Sequence, residues 1–129
     1  MVERATTNGI QVEVESTFIA EQSDKAAASY FFSYKIRILN GGTEPVQLVS
    51  RTWLITDGRG KVEEVHGPGV IGQQPRISPG KSFEYESFCP LSTPTGTMHG
   101  SYQMLCLDSG AKFDAEIPQF FLVEPNSYH

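Results

Sequence analysis

The residues best spaced for chemistry in this chain are Gly67-Pro68-Gly69-Val70-Ile71-Gly72, a GxGxxG string. Such a string holds pyrophosphate when it leaves a strand and opens a helix, because the helix N-terminus offers free amide protons to the anion. Here Gln73-Gln74-Pro75 follows, then Ser78-Pro79-Gly80 and another strand-like run. No helix can begin there, so the glycines are expected to shape an irregular loop or bulge. A backbone nest for an anion needs no helix, which keeps Gly67, Gly69, Gly72 and the nearby Arg76 as a candidate ligand loop. Gly80-Lys81-Ser82 matches the end of a P-loop, but Pro75 stands where the motif needs its first glycine and Phe83-Glu84-Tyr85-Glu86 continues as a strand.

Other reactive residues are scattered. His66, His99 and His129 lie far apart in sequence, and none pairs with another His or a Cys at a ligand spacing. Glu63 and Glu64 are adjacent, so in a strand they point to opposite faces. No metal site is expected. Ser92 and Thr93 lack a nearby base in sequence and are expected to cap turns, although His99 could approach them in space. Arg51 and Trp53 share a strand face, where the guanidinium could lie beside the indole and donate to a neighbouring carboxylate. Either the Trp anchors a sandwich core, or the pair forms a ligand-facing patch. With Ser92, Thr93, Met98 and His99, these two residues make a candidate interaction surface. Cys89 and Cys106 form no CxxC pair and are expected to be free, small hydrophobes.

The elements that position these residues have period two. Ile10, Val12, Val14 and Phe18 alternate with Gln11, Glu13, Glu15 and Thr17, which in a strand separates an apolar from a charged face. Tyr30 to Ile38, Val46 to Thr56, Phe83 to Glu86 and Lys112 to Ile117 read the same way, and Ser101 to Leu107 is a more apolar run, as expected of a strand with less solvent on either side. Lys61 to His66 reads as a short edge strand. In the third run Leu48 and Leu54 are expected on one face, and Val49, Trp53 and Ile55 on the other. Asn40-Gly41-Gly42, Asp57-Gly58, Ser78-Pro79-Gly80 and Asp108-Ser109-Gly110 supply turns. Glu21 to Ser29 reads as a loop. The stretches His66 to Pro79 and Pro90 to Gly100 read as long loops, where binding would be sought.

Composition narrows the function classes. The 129 residues fit one domain, 1–129, with a core from about residue 10 to 122 and short flexible termini. Ten Lys and Arg against 15 Asp and Glu give a net charge of −5, which offers phosphate backbones and anionic membranes no long-range attraction. Nucleic acid is a poor partner. No apolar run approaches the roughly 20 residues of a membrane span, and no signal peptide is evident. A cytoplasmic location is expected, with no cofactor.

The same segments resemble the ApaG family, in order and over nearly the whole chain. They include Val12-Glu13-Val14, Glu21-Gln22-Ser23, Tyr30-Phe31-Phe32, Pro45-Val46-Gln47-Leu48 and Ser50-Arg51-Thr52-Trp53. Val62-Glu63-Glu64-Val65-His66-Gly67-Pro68-Gly69-Val70-Ile71-Gly72 is similar to the family's glycine loop. Pro90-Leu91-Ser92-Thr93-Pro94-Thr95-Gly96-Thr97-Met98 and Phe113-Asp114-Ala115-Glu116-Ile117-Pro118-Gln119-Phe120 complete the pattern. Thr52 stands where members often have His, and Cys106 falls in a strand end that is usually more polar.

The resemblance implies a fibronectin type III-like sandwich, in agreement with the strand pattern. It also implies a link to cobalt resistance and magnesium homeostasis in stand-alone bacterial members, and an interaction role where the domain sits inside larger eukaryotic proteins. A stand-alone bacterial protein is the expected source, with an excised eukaryotic domain the alternative. The expectation is therefore an all-β, fibronectin type III/immunoglobulin-like sandwich of two antiparallel sheets and about seven strands. Its function would be a non-enzymatic binding module for a protein partner, with exposed edges leaving room for a homodimer. The alternative is a binder or hydrolase of pyrophosphate-containing nucleotides through the glycine loop.

Overall fold

Alternating apolar residues become nine strands in two antiparallel sheets in the computed structural model, which describes Met1–Ser127. The strands are β1 (Glu3–Thr7), β2 (Ile10–Phe18), β3 (Tyr30–Asn40), β4 (Val46–Asp57), β5 (Val62–Pro68), β6 (Arg76–Ile77), β7 (Ser82–Leu91), β8 (Thr95–Cys106) and β9 (Lys112–Val123). The first sheet runs β1-β2-β3-β7. The second runs β5-β4-β8-β9, with β6 added to the β4 edge beyond β5. His129 lies outside the described residues. No helix among the described residues is long and apolar enough to cross a membrane.

Both inner faces are apolar. Ile10, Val12, Val14, Phe32, Ile36 and Ile38 of the first sheet meet Leu48, Tyr102, Met104, Ala115, Ile117 and Leu122 of the second. At the centre the rings of Tyr34, Trp53 and Phe120 lie within 5.9 Å of one another, mostly edge to face. Each buried ring of this size contributes about 2–3 kcal/mol by leaving water. Trp53 is thus a core anchor as well as a wall of the groove described below.

Three sequence expectations are corrected. The count is nine strands rather than about seven, because Glu3–Thr7 adds an edge to β2 and Arg76–Ile77 a two-residue pairing to β4. The stretch Pro90 to Gly100 is not a long loop: β7 continues to Leu91 and β8 begins at Thr95. The faces of β4 also differ from simple alternation. A bulge between Leu48 and Ser50 shifts the register, so Leu48 joins Trp53 in the core while Val49 is exposed. Glu21 to Ser29 holds two single 3-10 turns, Ala20–Gln22 and Lys25–Ala27.

Candidate functional site

The glycine string closes on itself. Val70 and Gln73 exchange both backbone hydrogen bonds, at 2.8 and 2.9 Å, around Ile71 and Gly72. These central residues have φ of 43° and 77°, the two positive values a type I′ turn requires. Gly69 has φ 58°, and a Cβ there would sit 2.0 Å from the Gln73 carbonyl oxygen, so glycine is obligatory. Its amide donates to the Val49 carbonyl at 2.8 Å. The amides of Gly69, Val70 and Gln73 are therefore spent on protein acceptors rather than turned toward an anion. No helix follows Gly72, and Arg76 is an exposed β6 residue paired with Gln47.

What the turn does hold is Arg51. The guanidinium Nη1 donates to the carbonyls of Pro68 at 3.1 Å and Gly69 at 2.9 Å. Its plane rests on Gly67, where a Cβ would come within 2.7 Å of Nη1. Glycine there leaves room for the side chain. Arg51 and Trp53 do share a face, but the acceptors are carbonyls and not the carboxylate the sequence suggested.

Arg51 lines a groove of about 360 Å³ between the two sheets, where the edges β5 and β7 face each other. Trp53, Tyr34, Tyr85, Val65 and Val70 form its walls, and Glu63 is its acidic member. Two large apolar residues stand at its lips, Ile71 at 55% and Phe88 at 54% exposure. Phe88 stacks on Phe31 with ring centroids 5.4 Å apart. Ile71 is a β-branched residue in the left-handed region, a strained choice where Asn or Gly would fit better.

Beneath the groove the Tyr85 and Tyr102 hydroxyls bond each other at 2.5 Å. Burial pushes both phenols well above the ordinary tyrosine range, against which their mutual bond favours ionisation of Tyr85 only, and Arg51 of both weakly. Tyr34 is raised for the same reason, with its Ser87 bond working the other way. Burial, then the negative charge of Glu63, pushes the Cys89 thiol up to about 11. At neutral pH that sulfur is a protonated, poor nucleophile.

The remaining candidates separate. Met98 is buried in the core at 1% exposure, so it presents no exposed interaction surface, and Thr93 and Trp53 are likewise buried. Thr93 Oγ1 accepts from the Gly58 amide and donates to the Thr95 carbonyl, both at 2.8 Å, which is turn capping. Ser92 is exposed at the β7–β8 turn. His99 lies opposite Leu54 within β8, exposed, with no hydrogen bond to Ser92 or Thr93. The six residues of the proposed surface are therefore not one patch.

Sequence reasoning missed two arrangements. Glu63 and Cys89 line the same groove from different strands, which no sequence spacing encodes. On the outer face of the second sheet, His66 Nε2 and Glu64 Oε1 lie 2.7 Å apart and His66 Nδ1 lies 3.1 Å from Thr52 Oγ1. The i, i+2 spacing of Glu64 and His66 was the available signal. That chain sits on an open sheet surface, largely solvated. Among the described residues no three His, Cys, Asp or Glu side chains converge as a metal site. A larger cavity of about 660 Å³ lies on the opposite flank, around Met1, Ser16, Thr95 and Phe121. Its Asp57 carboxylate already accepts the Arg59 and Lys61 amides, and its lining holds no Lys, Arg or His side chain. The smaller groove carries the unspent charge.

Comparisons place this geometry among known proteins. The family model described as the ApaG domain matches residues 20–106. Protein ApaG of Methylorubrum extorquens is 51% identical over 123 residues, covering 95% of this chain and 94% of its own. Protein ApaG of Anaeromyxobacter dehalogenans is 52% identical over 123 residues, covering 95% and 96%. A crystal structure of an ApaA protein from Bordetella pertussis superposes with a TM-score of 0.87 at 46% identity, over 92% of this chain and 95% of that one.

Proposed function

The chain belongs to the ApaG domain family, and we propose that it is a non-enzymatic binding module that engages a protein partner through the groove between β5 and β7. One observation carries this reading. A fixed guanidinium stands in an open groove whose lips expose two large hydrophobes, one of them held in a strained backbone conformation. Exposed apolar anchors around a polar centre are the usual composition of an interaction surface, and backbone strain is retained where function requires a residue. Two unpaired strand edges border the same groove and can pair with an extended segment.

The reactive groups lining the groove weigh against covalent chemistry. Its thiol and phenols hold their protons at neutral pH, and among the described residues no carboxylate or imidazole hydrogen-bonds to them. The link to cobalt and magnesium, which comes from the family resemblance, would then be indirect, exerted through the partner in the cytoplasm. The nucleotide alternative depends on amides in the glycine turn that are free to donate to an anion. Three of these amides already have protein acceptors.

Affinity capture from native lysate with the wild-type chain and a Phe88→Asp variant tests the reading. Phe88 is exposed, so the variant is expected to fold normally. A stoichiometric partner recovered by the wild type and lost by the variant is the expected result. Capture unaffected by Phe88→Asp and by Ile71→Asn would place the interface elsewhere and reject the reading.

A further inference from the structure

We propose that the groove is a carboxylate site, in which Arg51 receives one Asp or Glu side chain carried on an extended segment of the partner. The inference rests on the binding-module reading and names the chemistry of its anchor. Both hydrogens of Arg51 Nη1 are used by the Pro68 and Gly69 carbonyls. Among the described residues no acceptor engages Nε or Nη2, and Arg51 makes no ion pair. The free Nε and Nη2 edge is the fork that matches a carboxylate with two parallel hydrogen bonds. Because Gly67 and the turn carbonyls already fix the guanidinium, little side-chain freedom remains to be lost on binding.

Charge selects the ligand. The groove offers one cation, and Glu63 shares its lining. A single carboxylate balances Arg51, whereas a pyrophosphate group would bring excess negative charge toward Glu63 with no second cation to meet it. The walls of Trp53, Val65 and Val70 favour an apolar neighbour beside the charge. An added strand supplies that arrangement, since residues two apart face the same side. A carboxylate at one position and hydrophobes two residues away fit the centre and the lips together.

The probes are the blocked tripeptides acetyl-Val-Glu-Val-amide and acetyl-Val-Gln-Val-amide, with inorganic pyrophosphate, added to the ¹⁵N-labelled full chain. The Arg51 Nε–H resonance and the Val65 and Ser87 amides are expected to shift saturably with the Glu peptide. The Gln peptide should bind about tenfold more weakly or worse, and Arg51→Lys, which keeps the charge without the fork, should weaken the Glu peptide by about tenfold. The wild-type Arg51 resonance reports even if a variant fails to fold. Equal response to both peptides, an unmoved Arg51 resonance at millimolar peptide, or a stronger response to pyrophosphate would overturn the proposal. A partner captured in a Phe88-dependent manner without any Glu-peptide response would reject the carboxylate anchor alone. A Glu-peptide response without a flank-dependent partner would retain the site and reject the protein-binding module.

Discussion

The two flanks of this sandwich are finished differently. On one, β1 and β2 pack against β9, and side-chain hydroxyls bridge the seam beside the cavity around Ser16 and Phe121. Ser16 Oγ donates to the Phe121 carbonyl at 2.7 Å, and the Glu116 amide donates to Thr7 Oγ1 at 3.1 Å. On the other, β5 and β7 leave a groove, and the side chain at its centre bonds to a turn rather than to the facing sheet. On the bridged flank, hydroxyls short enough to reach across tie exposed backbone groups of β9 to the facing sheet. The open flank spends its glycines on holding a charge in place and leaves its edges free. The difference suggests that one flank serves stability and the other recognition.

The sharpest way to break the contrast is Gly69→Ala. A Cβ would meet backbone at 2.0 Å with φ already positive, so the turn must open and release Arg51. A loss of about 3 kcal/mol or more is expected in urea denaturation. Alkaline stability comes next. A thiol whose folded pKa is raised from 9.0 to about 11 favours the folded state fully below pH 9 and loses that contribution as the pH climbs toward 11, because the unfolded thiol ionises first. About 2 kcal/mol should disappear over that window, and Cys89→Ala should flatten it, measured as denaturation midpoints across pH. The raised phenols extend the decline to higher pH in both proteins.

Tyr102→Phe tests the layer under the groove. It strands the Tyr85 hydroxyl, at a cost of about 1–2 kcal/mol, and the double change with Tyr85→Phe should recover most of that loss. Ile71→Asn is the smallest effect and the most informative in sign. Asn tolerates the left-handed region, so stability should rise by about 1 kcal/mol. Partner capture should weaken if Ile71 is retained for contact. A destabilised variant would show that the turn is not strained at this position.

Much of the fold was legible because alternation reports a half-buried strand directly. β2, β3, β7 and β9 follow their apolar periods. The turn at Ser78-Pro79-Gly80 also behaves as read, with Gly80 at φ 81° and the Lys81 amide on the Ser78 carbonyl. The start of β8 reads as loop in the sequence because Gly96 and Gly100 resemble loop residues. They are glycines since strands meet there: a Cβ would lie 2.7 Å from the Thr56 carbonyl oxygen at Gly96 and 2.0 Å from that of Thr52 at Gly100. The bulge in β4 leaves no compositional mark, so simple alternation puts Val49 on the wrong face.

The candidate site was only half legible. Arg51, Gly67 and Gly69 each stood out, but for separate reasons, and the pairing of β4 with β5 is what brings Arg51 opposite Gly67. Met98 looked like part of an exposed loop until the strand carried it inward. Phe88 and Ile71 gave no signal, because an exposed hydrophobe cannot be told from a buried one in a short run.

Amide hydrogen exchange of the wild-type chain tests the central claim most directly. The account predicts slow exchange at Gly69, Val70 and Gln73, comparable to Glu116 on the bridged flank, and early exchange along the free edge of β7. Rapid exchange at those three turn amides, with protection along the β7 edge, would contradict it.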